Sequence, residues 1–324
     1  MTSASIKSPA LAHAIVNSYR RTSEDNLMKK FHFKRFGEPR ELSQRNGTSI
    51  TLFRYGLAAE NLAPKLEGEV GTGVSITDEQ FTMTVSRYAD FSTVSHHVKL
   101  TLIDDVVIGI SRSLGYRAGL SVDLITRAVL DASSGSYTYV ANDTVLTRDV
   151  IGEVTQIMED GEIEAPPDQN GMFPILTSPL DVFDLMHDPE VGGVVDLLRG
   201  TRDPVLQSQM DRGKVIDIAQ GRVISTTNVF TSGGTRRTYV LGAHTFGFAS
   251  IAGMEPTEVM NPKTQNFKLL INHNPNGNTQ DPTGAIATSI GYRFYYGAAL
   301  LGRNNVVGDD FRIRVLDLAP TLAA

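Results

Sequence analysis

The sequence predicts an α+β protein. Three observations carry that expectation: an apolar stripe of helical period beginning near Thr101, two stretches of strict two-residue alternation near the C-terminus, and no regular alternation of strand with helix between them. With 324 residues the chain is long enough for one large core or two ordinary ones.

Residues 1–45 read as an arm with a short helix over Pro9–Tyr19 and then a basic, aromatic run, Lys29–Phe36. The arm holds nine Lys or Arg against four acids, a net charge of +5, so within a total of −6 the remainder carries −11. Gripping nucleic acid over a broad surface requires neutralising many phosphates, so a chain this acidic should touch it only locally.

From Thr48 to Tyr55 the pattern becomes that of a strand, with Ile50 and Leu52 on one face and Thr51 and Phe53 on the other. A second such segment runs from Phe81 to Val94, and the connection holding Gly56, Gly68, Gly71 and Gly73 is too long for a tight turn. The two strands should form a long projecting ribbon, which is marginal in water unless it lies on another surface.

The longest helix is expected to open at Thr101, with Asp104 and Asp105 at its positive end and Ile103, Val107, Ile110 and Leu114 as its apolar stripe. Continued to Ala132, it forms a spine of about 46 Å. Gly109, Gly115 and Gly119 imply a close backbone or a bend, and Ser121 is a candidate cap for a separate second helix. Thr147 should cap a helix with Val150, Ile151, Val154 and Ile157, ending at Gly161, and Ser178-Pro179 with Asp181 should start another. Strands are expected at Lys214–Ile218, Arg222–Ser225, Thr238–Leu241 and Phe246–Ala249, then a long pair at 286–296 and 311–315.

Signals for chemistry are weak throughout. There is no cysteine, which removes disulfides, thiolate nucleophiles and Cys-ligated zinc. Gly213-Lys214 is followed by Val215 and has no upstream glycine at phosphate-loop spacing, and Gly71-Thr72-Gly73 lacks a preceding strand and a following helix, so both read as turns. His96 and His97 fall in an expected strand, where neighbours point to opposite faces and cannot easily share a metal. Asp309-Asp310 reads as a polar turn, and Asn272–Asn278 as a surface loop because it lacks the carboxylates of an ion loop. Asn46-Gly47-Thr48 and Asn142-Asp143-Thr144 match a glycosylation pattern but read as a turn and a loop, since the polar start Met1–Pro9 has no signal-peptide core. No catalytic, cofactor or metal residue is therefore assigned. No apolar run approaches the roughly 18 residues that cross a bilayer, so a soluble protein made in the cytoplasm is expected.

Several short segments in fixed order carry a resemblance. These are Arg54-Tyr55-Gly56, Lys65-Leu66-Glu67-Gly68-Glu69, Tyr88-Ala89-Asp90 before Val94, Val223–Asn228, Val240-Leu241-Gly242, and Asp281-Pro282-Thr283-Gly284 leading into Gly291-Tyr292-Arg293-Phe294. Over roughly Leu27–Leu318 the sequence resembles the major capsid protein family typified by coliphage N4, a branch of the Hong Kong 97 (HK97) phage coat fold. It departs from many members of that family in having Ala89, rather than glycine, after Tyr88.

The resemblance implies an N-terminal arm over 1–45, an extended loop over 46–97, a peripheral domain over 98–139 built on the spine helix, an axial domain over 140–280, and C-terminal strands over 281–324 that return to the peripheral domain. It implies a structural, non-enzymatic subunit without cofactor, assembling with itself through hexamers and pentamers into an icosahedral shell around double-stranded DNA. Portal, scaffolding and decoration proteins are its further implied partners, the virion its location, and the host bacterial cytoplasm its place of assembly; no membrane is involved. Candidate intersubunit contacts are Lys29, Phe31, Phe33, Arg35 and Phe36 on the arm, and Glu67, Gly68, Gly71 and Gly73 at the loop tip. The arm's phenylalanines would bury area that phosphates cannot reward, so an acidic neighbouring subunit is its expected partner rather than the genome. A cellular nanocompartment shell of the same fold and an oligomeric enzyme with an unrecognised site are the alternatives.

Overall fold

The computed structural model describes residues 26, 30–43, 45, 47–55, 73, 76, 78–101, 106–132, 138–139, 145–161, 163–186, 216–232, 234–251, 269–274, 287–301 and 312–318. In chain order the elements are a 3-10 turn Lys34–Phe36, β1 (Glu38–Leu42), β2 (Ser49–Tyr55), β3 (Asp78–Thr84), β4 (Ser86–Ser95), α1 (His96–Thr101), α2 (Val106–Ala132) and β5 (Thr138–Tyr139). Then come α3 (Arg148–Asp160), a 3-10 turn Pro167–Gln169, β6 (Phe173–Thr177), α4 (Pro179–Met186), β7 (Ile216–Ile218), β8 (Gly221–Ser225) and β9 (Thr231–Ser232). β10 (Thr235–Leu241), β11 (Phe246–Ile251), β12 (Leu269–Asn274), β13 (Ala287–Leu300) and β14 (Ile313–Leu318) complete the described chain. The class is α+β, as the sequence predicts.

Two compact units divide the chain, the first made of 1–48, 84–128 and 248–298, the second of 49–83, 129–247 and 299–324. In the first, a five-stranded sheet runs β1-β11-β13-β12, with β4 also paired to β13. The alternation at 286–296 buries Ile290, Tyr292, Phe294 and Tyr296 on one face of β13. Tyr88 stacks on Phe294 at 5.2 Å, and Phe248 on Tyr296 at 6.1 Å. α2 lies on this aromatic face: the Thr126 and Tyr296 hydroxyls are 2.7 Å apart, and burial pushes the Tyr296 phenol up. Along α2 the buried positions Val107, Leu114, Ala118, Val122 and Leu130 keep helical spacing, and buried Ser111 and Thr126 donate to the carbonyls of Val107 and Val122 one turn back.

The second unit holds a seven-stranded sheet in the order β5-β14-β10-β6-β8-β7, with β9 on β10. Its core joins Val150, Ile151, Val154 and Met158 of α3 to Phe173, Ile175, Val223, Val240, Leu316 and Leu318 of the sheet. Both helices start as their sequences predict. The Thr147 hydroxyl accepts from the Val150 N–H, and Gly161 closes α3 by donating to Ile157 O at 3.1 Å. At α4, Ser178 and Asp181 cap reciprocally, the Asp181 N–H donating to Ser178 Oγ at 3.2 Å and the Ser178 N–H to Asp181 Oδ2 at 3.3 Å. The same buried carboxylate takes a hydrogen bond from Arg236 Nε at 2.6 Å, with Asp184 3.6 Å from the guanidinium, so the buried charges are paired.

Several expectations are corrected. The two C-terminal strands do not pair with each other: β13 lies between β4 and β12 in one sheet, whereas β14 pairs β10 and β5 in the other. Alternation reports a half-buried strand and says nothing about its partner. Thr101 already lies within the helix His96–Thr101 and so does not open one, its hydroxyl donating to His97 O at 2.9 Å, and His96 and His97 are helical. Ser121 caps nothing, because α2 is continuous and the Ser121 hydroxyl donates to Arg117 O. Among the described residues nothing lies within 4 Å of a Cβ built at Gly109, so none of their backbones packs closely there. Asn272–Asn274 belong to β12 and not to a loop. The segment 81–94 is two strands, since the buried phase shifts from Met83 and Val85 to Val94 across a break at Val85. Asp104, Asp105, Gly213, Lys214, Asp309, Asp310 and the arm helix at 9–19 lie outside the described residues.

That break is where Gly297 matters. A Cβ there would lie 2.2 Å from the Thr84 carbonyl oxygen and 3.1 Å from the Val85 Cα, both backbone atoms that cannot rotate away. Gly297→Ala is therefore expected to destabilise the chain by about 1–3 kcal/mol, measured by denaturant unfolding. An unchanged midpoint would show that the crossing is looser than this geometry. Gly291, within the resemblance segment, is a similar approach, its Cβ position 3.0 Å from Phe91 Cβ and 3.2 Å from Asp90 O.

Candidate functional site

The described residues hold no group of three or more His, Cys, Asp or Glu placed to bind a metal, and no helix among them is long and apolar enough to cross a membrane. The sequence singles out two surfaces, the arm and the ribbon.

The arm segment 31–37 is anchored to its own chain. Asp123, fully buried on α2, accepts through Oδ1 from the backbone N–H groups of His32 at 3.0 Å, Phe33 at 2.8 Å and Lys34 at 3.4 Å. This carboxylate does for the turn Lys34–Phe36 what a capping side chain does for a helix, satisfying donors that the turn itself cannot. Phe33 is 0 % exposed and Lys34 1 %. The Lys34 ammonium sits 4.6 Å over the Phe31 ring and 4.7 Å over Phe248. Those rings favour the charged amine, but burial outweighs them and pushes it down to about 7. His32 is also lowered, first by burial and further by Lys30 and Arg35, against the opposing pull of Asp123.

Of the candidate contact residues, Phe33 is buried within its own chain. Phe31 is half-buried beside Lys34, Phe36 is half-buried with the Arg35 guanidinium 6.0 Å from its ring, and Arg35 itself is exposed. Gly73 is exposed, whereas Lys29, Glu67, Gly68 and Gly71 lie outside the described residues. Sequence reasoning passed over Asp123 and the burial of Lys34. The first had a signal, since a carboxylate one position beyond Val122 and three before Thr126 falls on the buried stripe of α2, where an acid needs a partner.

The ribbon forms as expected, β2 pairing β3 in a two-stranded sheet. Phe53 is 61 % exposed and Ile76, just before β3, 59 %. Two large apolar side chains in water on a two-stranded ribbon make a surface with something to gain from being covered.

The mixed α and β fold is shared with phage capsid subunits, as comparison with solved structures shows. The chain superposes on the cyanophage Pam1 capsid subunit with a TM-score of 0.64 at 12% identity, covering 90% of this chain and 93% of that one. For the cyanophage P-SCSP1u capsid the values are 0.62 and 11%, with 88% and 86% covered, and for the Ralstonia phage GP4 capsid 0.62 and 11%, with 89% and 88% covered. No protein-family model matches the sequence, and no curated protein matches it significantly.

Proposed function

We propose that this protein is the major capsid protein of a tailed phage, a structural subunit that assembles through hexamers and pentamers into an icosahedral shell around a double-stranded DNA genome. The observation that carries this reading is the shared fold with phage capsid subunits across about nine-tenths of both chains. The exposed Phe53 and Ile76 of the ribbon support it, since a neighbouring copy is the natural cover for a surface of that kind. Within the reading, residues 1–45 are the arm, 46–97 the extended loop, 98–139 and 281–324 the peripheral domain and 140–280 the axial domain, and the short ordered segments support a resemblance to the N4-like branch. Portal, scaffolding and decoration proteins are its proposed partners, the virion its location, and the host cytoplasm its site of assembly.

Expressed alone or with phage partners, the chain is expected to sediment as closed particles and to show shells by electron microscopy. Monomers or small oligomers under every assembly condition, partners included, would overturn the reading. Shells that enclose protein cargo in place of DNA would move it to a cellular nanocompartment.

A further inference from the structure

The phenylalanines of the basic arm segment argued for a protein partner only while they were free to meet one. In the structure Phe33 is wholly inside, and Phe31 and Phe36 lie half-buried against Lys34 and Arg35. Of the segment's cations Lys34 is buried, Arg35 is exposed and Lys30 is half-buried. Lys30 adjoins the exposed face of α2, where Arg112 and Tyr116 lie one turn apart with Arg117 beside them, those three exposed. Lys30 Nζ stands 4.4 Å over the Tyr116 ring and so joins the arm to that face, while Lys30 and Arg35 are both near enough to His32 to act on its charge.

The acids of α2 itself are engaged elsewhere. α2 carries two, of which Asp123 is buried on the arm amides, and Asp131 is bonded to Arg237 at 3.3 Å and to the Tyr239 hydroxyl at 2.5 Å. Asp90 of β4 reaches toward the face and is held by Arg117 at 2.8 Å. We propose that the surface made by Lys30, Arg35, Arg112, Tyr116 and Arg117 is a contact for the phosphate backbone of duplex DNA. The proposal rests on the capsid reading and names the part of the subunit that meets the genome. An acidic protein surface is the competing partner. The core of a protein interface is depleted in charge and rich in buried aromatics, whereas this face is mostly cationic around a single half-exposed ring, which favours phosphate.

The test titrates the purified full chain, before assembly, with a short labelled duplex of mixed sequence at increasing salt. Binding is expected at low salt, and the double variant Lys30→Gln, Arg112→Gln should flatten the dependence of log K on log salt by about two and weaken low-salt binding at least about tenfold. Arg117 is left in place because it holds Asp90. Unaltered melting of the variant shows that it is folded, and Lys30→Arg with Arg112→Lys should restore binding. A variant that binds DNA as the parent does overturns the proposal. So does polyglutamate competing as well as unlabelled duplex, which would assign the face to an acidic protein. Failure of the parent to form shells would sink the capsid reading whatever this titration shows, so the two can fail separately.

Discussion

Asp123→Ala is expected to cost the folded chain about 3–5 kcal/mol and to release residues 31–37 from the first unit. The Asp123 carboxylate accepts three backbone N–H groups, and alanine supplies no acceptor in its place. Each buried donor left unsatisfied costs about 1–3 kcal/mol, while letting water in would mean withdrawing Phe33 from the core, about another 2 kcal/mol. Asp123→Asn keeps one carbonyl oxygen at nearly the same place and should cost less than half as much, which separates loss of the acceptor from loss of the charge. Denaturant unfolding gives the free energies. Hydrogen exchange at the amides of His32, Phe33 and Lys34 shows whether the segment has left. If those amides stay protected in Asp123→Ala, the carboxylate is not what holds the arm.

Lys34→Met should move stability in the opposite direction, and by an amount that depends on pH. The Lys34 amine is held down at about 7 against an ordinary value of 10.5, so between those limits the unfolded chain carries a proton that the folded chain lacks. Stability then rises with pH across that window and is lowest below about pH 7, where folding must bury the ammonium itself. At about 1.4 kcal/mol for each unit of displacement, the burden below pH 7 is on the order of 3–5 kcal/mol. Methionine fills a similar volume, carries no charge and gives up two ring contacts worth about 1 kcal/mol together. The variant should therefore be more stable than the parent by about 2–4 kcal/mol near pH 6, with the advantage gone near pH 10. Urea midpoints at both ends decide, and a pH-independent difference would mean that the parent's amine titrates normally. His32, also lowered, adds to the same trend below its unfolded value of 6.5: acid loosens this part of the arm.

Much of the fold was legible in the sequence because it is written locally. Thr147 and Gly161 bracket α3, and Ser178, Pro179 and Asp181 start α4, because a cap and the groups it satisfies lie within one turn. The alternation at 286–296 names the buried face of β13, and the glycine-rich gap between β2 and β3 announces a ribbon, because side-chain period follows from backbone geometry. The ordered segments that suggested a phage coat subunit belong to the same local record, and the structure shares its fold with phage capsid subunits.

What local pattern could not determine was who meets whom. Partner choice for β13 and β14 depends on complementary surfaces far apart in the chain, and either alternation would suit either sheet. The break at Val85, which hands the chain from β3 to β4, lies against the backbone of Gly297, more than 200 residues away in sequence. The candidate surface changed character for the same reason. From the sequence, Phe31, Phe33 and Phe36 were free hydrophobes among cations, and burying them on a neighbour was the economical expectation. Only the approach of Asp123 and Phe248 to residues 32–34 decides that this burial happens within the chain, leaving Arg35 and Arg112 exposed and Lys30 half-buried over Tyr116. The sequence by itself determined the elements and their faces; long-range packing decided which faces are already occupied, because hydrophobic burial rewards any apolar partner and only the assembled fold specifies which one is near.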